Sequence, residues 1–136
     1  MTDMNIQKTI FIAASRDTVW RYLTEAKRLG EWFHPAKADL SAGGEYTLVS
    51  QKDGDRMCWG KVREMRAPAL MRWDFTVGPM DGAMSQVEWL LEEAPGGTRL
   101  TLTHSGLPQS REGFGLVLAL DKGWHGFLAQ LQGLEM

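Results

Sequence analysis

The sequence predicts an α+β domain, an antiparallel sheet of about six strands closed by one long C-terminal helix. Three observations lead there. A β-branched segment, "NIQKTIFIAA" (5–14), opens the chain, and short apolar segments separated by turn residues fill its middle. The tail then changes to helical period: Leu116, Leu120, Trp124, Phe127, Leu131 and Leu134 recur at intervals of three and four, with Val117 and Leu128 widening the stripe.

After the first strand, Ser15 is a good helix cap, Asp17 suits the positive end of the helix, and Val19, Trp20 and Leu23 form a short apolar face. A second short helix is expected over "TEAKRLGEWF", with Thr24 as its cap. "GEYTLVSQ" then runs into the turn "KDGD" (52–55), where Asp-Gly is a hairpin signal. "RMCWGKVREM", the corner "APAL", "MRWDFTV", the loop "GPMDG" (78–82), "AMSQVEWLLEE", the turn "APGG" (94–97) and "TRLTLTHSG" complete a meander of about five further strands. Connections this short require antiparallel neighbours. A twisted sheet of this kind can curl around the final helix.

Composition narrows the function. The 136 residues suit one domain, 1–136, with a core of ordinary size. Lys and Arg number 15 against 17 Asp and Glu, so the chain lacks the basic excess that phosphate neutralisation asks of a nucleic-acid binder. A lone cysteine, Cys58, cannot close an internal disulfide and points to a reducing compartment. The start "MTDMNIQKTIFIAAS" has no basic region followed by an apolar run, and "GLVLAL" is too short to span a bilayer. A cytoplasmic protein without membrane insertion is expected. Six tryptophans and eight methionines, both suited to irregular apolar surfaces, point to a Trp-rich core or to a core with a cavity in it.

The chemistry-bearing residues are sparse. Three histidines spaced by 70 and 21 positions show no HxH, HExxH or CxxC pattern, so no metal site is expected. His104 shares a strand face with Leu100 and Leu102 and is expected inside, where its ring needs a partner. Asp121 falls about 60° from Trp124 around the last helix, and a meeting with His104 would make a base dyad or a polar anchor. His125 falls at the rim. In "EWFHP", Trp32 is either a core plug or an aromatic at a pocket mouth, whereas His34 reads as an exposed bystander before Pro35. Cys58 reads as a small apolar filler. Gly123 and Gly126 each weaken the last helix by about 1 kcal/mol, which asks for an offset. Close packing against the sheet is favoured for Gly123 over space for a bound molecule.

The motifs "VWRYL", "EWFHP", "GGEY", "GKVRE", "WDF", "GGTRLTLTHSG" and "GWHGFLAQL", in this order and spacing, resemble the START-like SRPBCC superfamily. Within it, the chain is similar to homologues of the activator of the heat-shock protein 90 ATPase, in their C-terminal-type domain, over residues 5–134. The resemblance implies a helix-grip fold, with the curved sheet holding the last helix and an apolar cavity between them. It implies a small hydrophobic ligand, such as a lipid, a polyketide or an aromatic compound, and no cofactor. By alternation and resemblance together, Tyr46, Trp59, Trp73, Phe75, Trp89, His104, Trp124 and Phe127 are expected on the wall, with Trp32 near the entrance. Two alternatives stand beside this reading: a small cyclase or hydrolase on the same fold, less favoured than binding alone, and a co-chaperone-like protein-binding module. The eukaryotic co-chaperone's separate N-terminal domain is not part of this sequence, which speaks against a chaperone partner. A homodimer is left open.

Overall fold

The computed structural model describes residues 5–136. The first four residues of the N-terminal stretch read above for an export signal lie outside the described residues. Strand β1 (Ile6–Ile12) is followed by helices α1 (Arg16–Thr24) and α2 (Ala26–Trp32). Strands β2 (Glu45–Val49), β3 (Arg56–Arg66) and β4 (Leu70–Phe75) come next. After a 3-10 turn at Gly78–Met80 follow β5 (Ser85–Ala94), β6 (Gly97–Ser105) and α3 (Phe114–Gln132).

The six strands form one antiparallel sheet in the order β1-β6-β5-β4-β3-β2. Every neighbouring pair but one is a simple hairpin. The exception is β1, which pairs along its whole length with β6, Ile6 opposite His104 and Ile12 opposite Thr98. The two short helices carry the chain from that edge to β2 at the other. This is the predicted α+β architecture, and α3 lies against its curved face.

Period-two alternation selects the buried face. Trp73 and Phe75 on β4, Val87, Trp89 and Leu91 on β5, and Leu100, Leu102 and His104 on β6 are all buried. Val117, Trp124, Leu128 and Leu131 of α3 pack on them, while Leu116, Leu120 and Phe127 lie half-buried on its flank. Leu134 follows the helix end and still packs against the core.

Curvature has a local cause at Gly60. A Cβ there would overlap the Asp74 carbonyl oxygen, so only glycine lets β3 cross β4 at this distance. Register also shifts between Val62 and Glu64 on β3, and between Leu48 and Val49 on β2. Such irregularities bend a strand and increase its twist.

The helix starts match one expectation and correct another. Ser15 caps α1, its Oγ accepting from the Thr18 amide at 3.3 Å. Thr24 does not cap α2. It ends α1, and its hydroxyl donates back to the Trp20 carbonyl at 2.9 Å, while Glu25 takes the cap position. The free Ala26 amide donates instead to the Asp39 carboxylate at 2.7 Å, an acceptor thirteen residues on that local spacing could not reveal.

Candidate functional site

Between the β3–β4 end of the sheet and the middle of α3 lies a partly open cavity of about 270 Å³. Its floor is Phe75 and Trp124. Phe127, Leu120, Ala119 and Gly123 border it from α3, and Met57, Cys58 and Val77 close the sheet side. Phe33 and His34 complete the rim.

The rim follows from how α2 ends. Phe33 leaves helical geometry at φ −131°, ψ −113°, with its amide still bonded to the Leu29 carbonyl at 2.9 Å. Trp32, in the last helical turn, turns into the core, and the next two side chains swing out over α3. Phe33 then packs on Trp124 and Phe127, with ring centroids 5.1 and 4.7 Å apart. His34 stands against Phe33 at 4.7 Å and against Phe127 at 5.2 Å. It is half-buried, and that burial lowers its pKa, so the imidazole is neutral at pH 7.

Of the residues expected on the wall, Phe75, Trp124 and Phe127 border this cavity. Trp32 does not. It is 1% exposed, and its indole N–H donates to the Tyr22 carbonyl at 2.8 Å, which makes it a core plug. Trp73 and Trp89 are packed behind the cavity, meeting each other at 5.4 Å, with Trp89 edge-on to Trp124 at 5.7 Å. Their indole N–H groups find no hydrogen-bond partner among the described residues, a cost that burial of two large rings offsets. Tyr46 is buried too, against Trp73, and its hydroxyl donates to the Asp74 carbonyl at 2.7 Å. Trp59 points the other way. Cys58 and Val62 occupy the inner face of β3, so the intervening alternation turns Trp59 outward, where the Arg56 guanidinium lies 3.5 Å over its ring.

His104 is inside, as its strand face predicts, and is fully buried. Its hydrogen bonds fix its tautomer. The Trp124 indole can only donate, so Nδ1 at 3.0 Å must accept. Nε2 therefore carries the proton and donates to Ser85 Oγ at 2.7 Å, and that hydroxyl donates on to the Phe75 carbonyl at 2.9 Å. Every polar atom of the chain from indole to carbonyl is used. Burial lowers the His104 pKa to about 4, in keeping with a neutral ring whose lone pair is already taken. This histidine holds α3 against β5 and β6 and offers nothing to a ligand.

Asp121 does not meet it. Its carboxylate pairs with Lys8 at 3.0 Å and is half exposed, so the dyad considered from sequence does not form. His125 is exposed, as expected of a rim position. Among the described residues, no cluster of His, Cys, Asp and Glu could hold a metal ion. Cys58 is buried in the cavity wall, and burial pushes its thiol pKa well up, which keeps it un-ionised. Gly123 is a correction. An added Cβ would meet only Phe127 Cε2, at 4.0 Å, so this glycine leaves space beside the cavity and does not seat the helix on the sheet. The α3 residues absent from the expected wall are Ala119, Leu120 and Gly123; Leu120 and Gly123 lie one turn before Trp124 and Phe127 and were reachable by helical spacing. Phe33 and His34 lie past a helix end, where periodicity stops informing.

Residues 13–134 match the family model described as Activator of Hsp90 ATPase homolog 1-like protein. No curated protein matches the chain. Among solved structures it is similar to CalU16 from Micromonospora echinospora, at 26% identity and a TM-score of 0.75, over 93% of this chain and 73% of that one. It is also similar to DynU16, a protein of the dynemicin biosynthetic locus, at 26% identity and a TM-score of 0.76. That match covers 96% of this chain but only 46% of the other. An HSP90 activator from Plasmodium falciparum shares the fold, with a TM-score of 0.79 at 23% identity, over 94% of this chain and 93% of that one. No helix among the described residues is long and apolar enough to cross a membrane.

Proposed function

The chain belongs to the activator of Hsp90 ATPase homolog 1-like family, and from that premise we propose that it binds a small hydrophobic molecule between its sheet and its C-terminal helix. The observation that carries this reading is the aromatic cavity itself. Phe33, Phe75, Trp124 and Phe127 surround about 270 Å³ of space that α3 leaves open at Gly123. A helix glycine that seats nothing, next to a gap in an otherwise dense aromatic core, fits a site kept open for a guest. The volume, about 270 Å³, lies just below the usual range for ligand pockets, about 300–1,000 Å³, so the guest is compact and not a long acyl chain.

The cavity also favours this reading over a protein-binding module, which calls for a filled core. Likewise, the polar pair that an enzyme of the predicted kind needs, His104 with Asp121, is separated and each member is already engaged. Native mass spectrometry of the freshly purified protein tests for a co-purifying small molecule. Calorimetric titration with naphthalene should give saturable binding at one equivalent. The reading fails if neither naphthalene nor any member of a chemically broad set of apolar compounds saturates.

A further inference from the structure

The polar inventory of the cavity wall narrows the ligand class. The wall includes no Lys, Arg, Asp or Glu among the described residues, so a charged group would lose its hydration there without a counter-ion. The Trp124 N–H is committed to His104, and Cys58 offers only a weak, protonated thiol. That leaves His34. Its ring touches Phe33 and Phe127, and neither nitrogen has a hydrogen-bond partner among the described residues. Being neutral, it presents one N–H donor and one bare acceptor nitrogen at the mouth of an aromatic slot.

Resting on the cavity reading above, we propose that the ligand is a neutral, flat aromatic compound carrying one hydroxyl, which hydrogen-bonds to the His34 imidazole while its rings lie among Phe33, Phe75, Trp124 and Phe127. A phenolic hydroxyl matches both properties of the rim. It is a strong donor for the bare nitrogen, it can also accept from the N–H, and it enters without a net charge. The rings supply the rest, since aromatic bodies pack edge-on or offset against such walls. A two-ring body fits the volume with room for substituents.

The test compares 2-naphthol with 2-methylnaphthalene, which replaces the hydroxyl by a methyl of similar size, by calorimetric titration of the native protein and of His34→Phe. The substitution should weaken 2-naphthol about five- to tenfold, the worth of one hydrogen bond, and leave 2-methylnaphthalene unchanged or tighter. Equal effects on both compounds, or none on either, would overturn the assignment of His34 while leaving the cavity reading intact. If neither compound binds the native protein, the ligand class proposed here falls, whereas the cavity reading falls only if naphthalene and the broad set of apolar compounds fail to saturate as well. Should His34→Phe fold poorly, the imidazole nitrogen resonances of His34 in the native protein give the same answer. They should move on addition of 2-naphthol and not of 2-methylnaphthalene, and the same movement with both, or none with either, would refute the contact.

Discussion

Gly123 offers the sharpest test of whether the space beside α3 is kept open or packed shut. Replacing it with alanine adds a Cβ whose nearest neighbour is Phe127 Cε2 at 4.0 Å, an ordinary contact. Nothing has to move, and the helix gains about 1 kcal/mol from alanine's better propensity. For a chain of this size that corresponds to a rise in Tm of about 3–5 °C. Leucine has nearly the same propensity, and its side chain can reach into the cavity. Partial burial there should add on the order of 1 kcal/mol. Thermal unfolding followed by circular dichroism measures both changes, and naphthalene titration measures the cost to the site. The expected pattern is a stabilised Gly123→Leu protein that no longer binds naphthalene. A fall in Tm for Gly123→Ala would refute the reasoning, because it would mean that the helix needs this glycine to lie close to its neighbours.

Three further outcomes follow from the geometry. His104, neutral when folded with a pKa near 4 against 6.5 unfolded, takes up a proton only on unfolding between those values. Its share of the stability is therefore complete above pH 6.5 and is lost as pH falls towards 4, by about 3 kcal/mol in all. An NMR titration placing the His104 pKa near 6.5 would contradict the buried hydrogen-bond chain. Gly60→Ala should destabilise by more than about 3 kcal/mol, since the new methyl meets the Asp74 backbone and not a movable side chain; urea unfolding within 1 kcal/mol of the native protein would show that β3 can shift. Asp121→Asn should change stability by less than about 1 kcal/mol, as for an exposed ion pair, and should leave naphthalene binding as it was. A loss of binding would return Asp121 to the site.

Much of the fold was legible because its signals are local. Alternation on β4, β5 and β6, Asp-Gly at a hairpin and the stripe on α3 each depend on residues close together in the chain. The same alternation placed His104 inside. Its partners were not legible: Ser85, nineteen residues away, reaches the ring through the register of β5 against β6, and Trp124, twenty residues away, through the packing of α3 on the sheet. Asp121 shows the converse. Helical spacing puts it near the stripe edge, yet Lys8 from the first strand pairs with it there and holds the carboxylate outside.

What the sequence alone determined is which faces are apolar, in what order the elements come, and the family to which they belong. The tertiary structure decided which apolar residues border empty space and which fill it. "EWFHP" separates the two. Its composition marks an aromatic cluster, but one peptide of non-helical geometry at Phe33 sends Trp32 into the core and His34 to the cavity rim, reversing the roles the sequence suggested. The physical reason is that burial alone does not distinguish a wall from a plug. Both are apolar and both leave water, and the difference lies in whether a neighbour from a distant element fills the remaining volume.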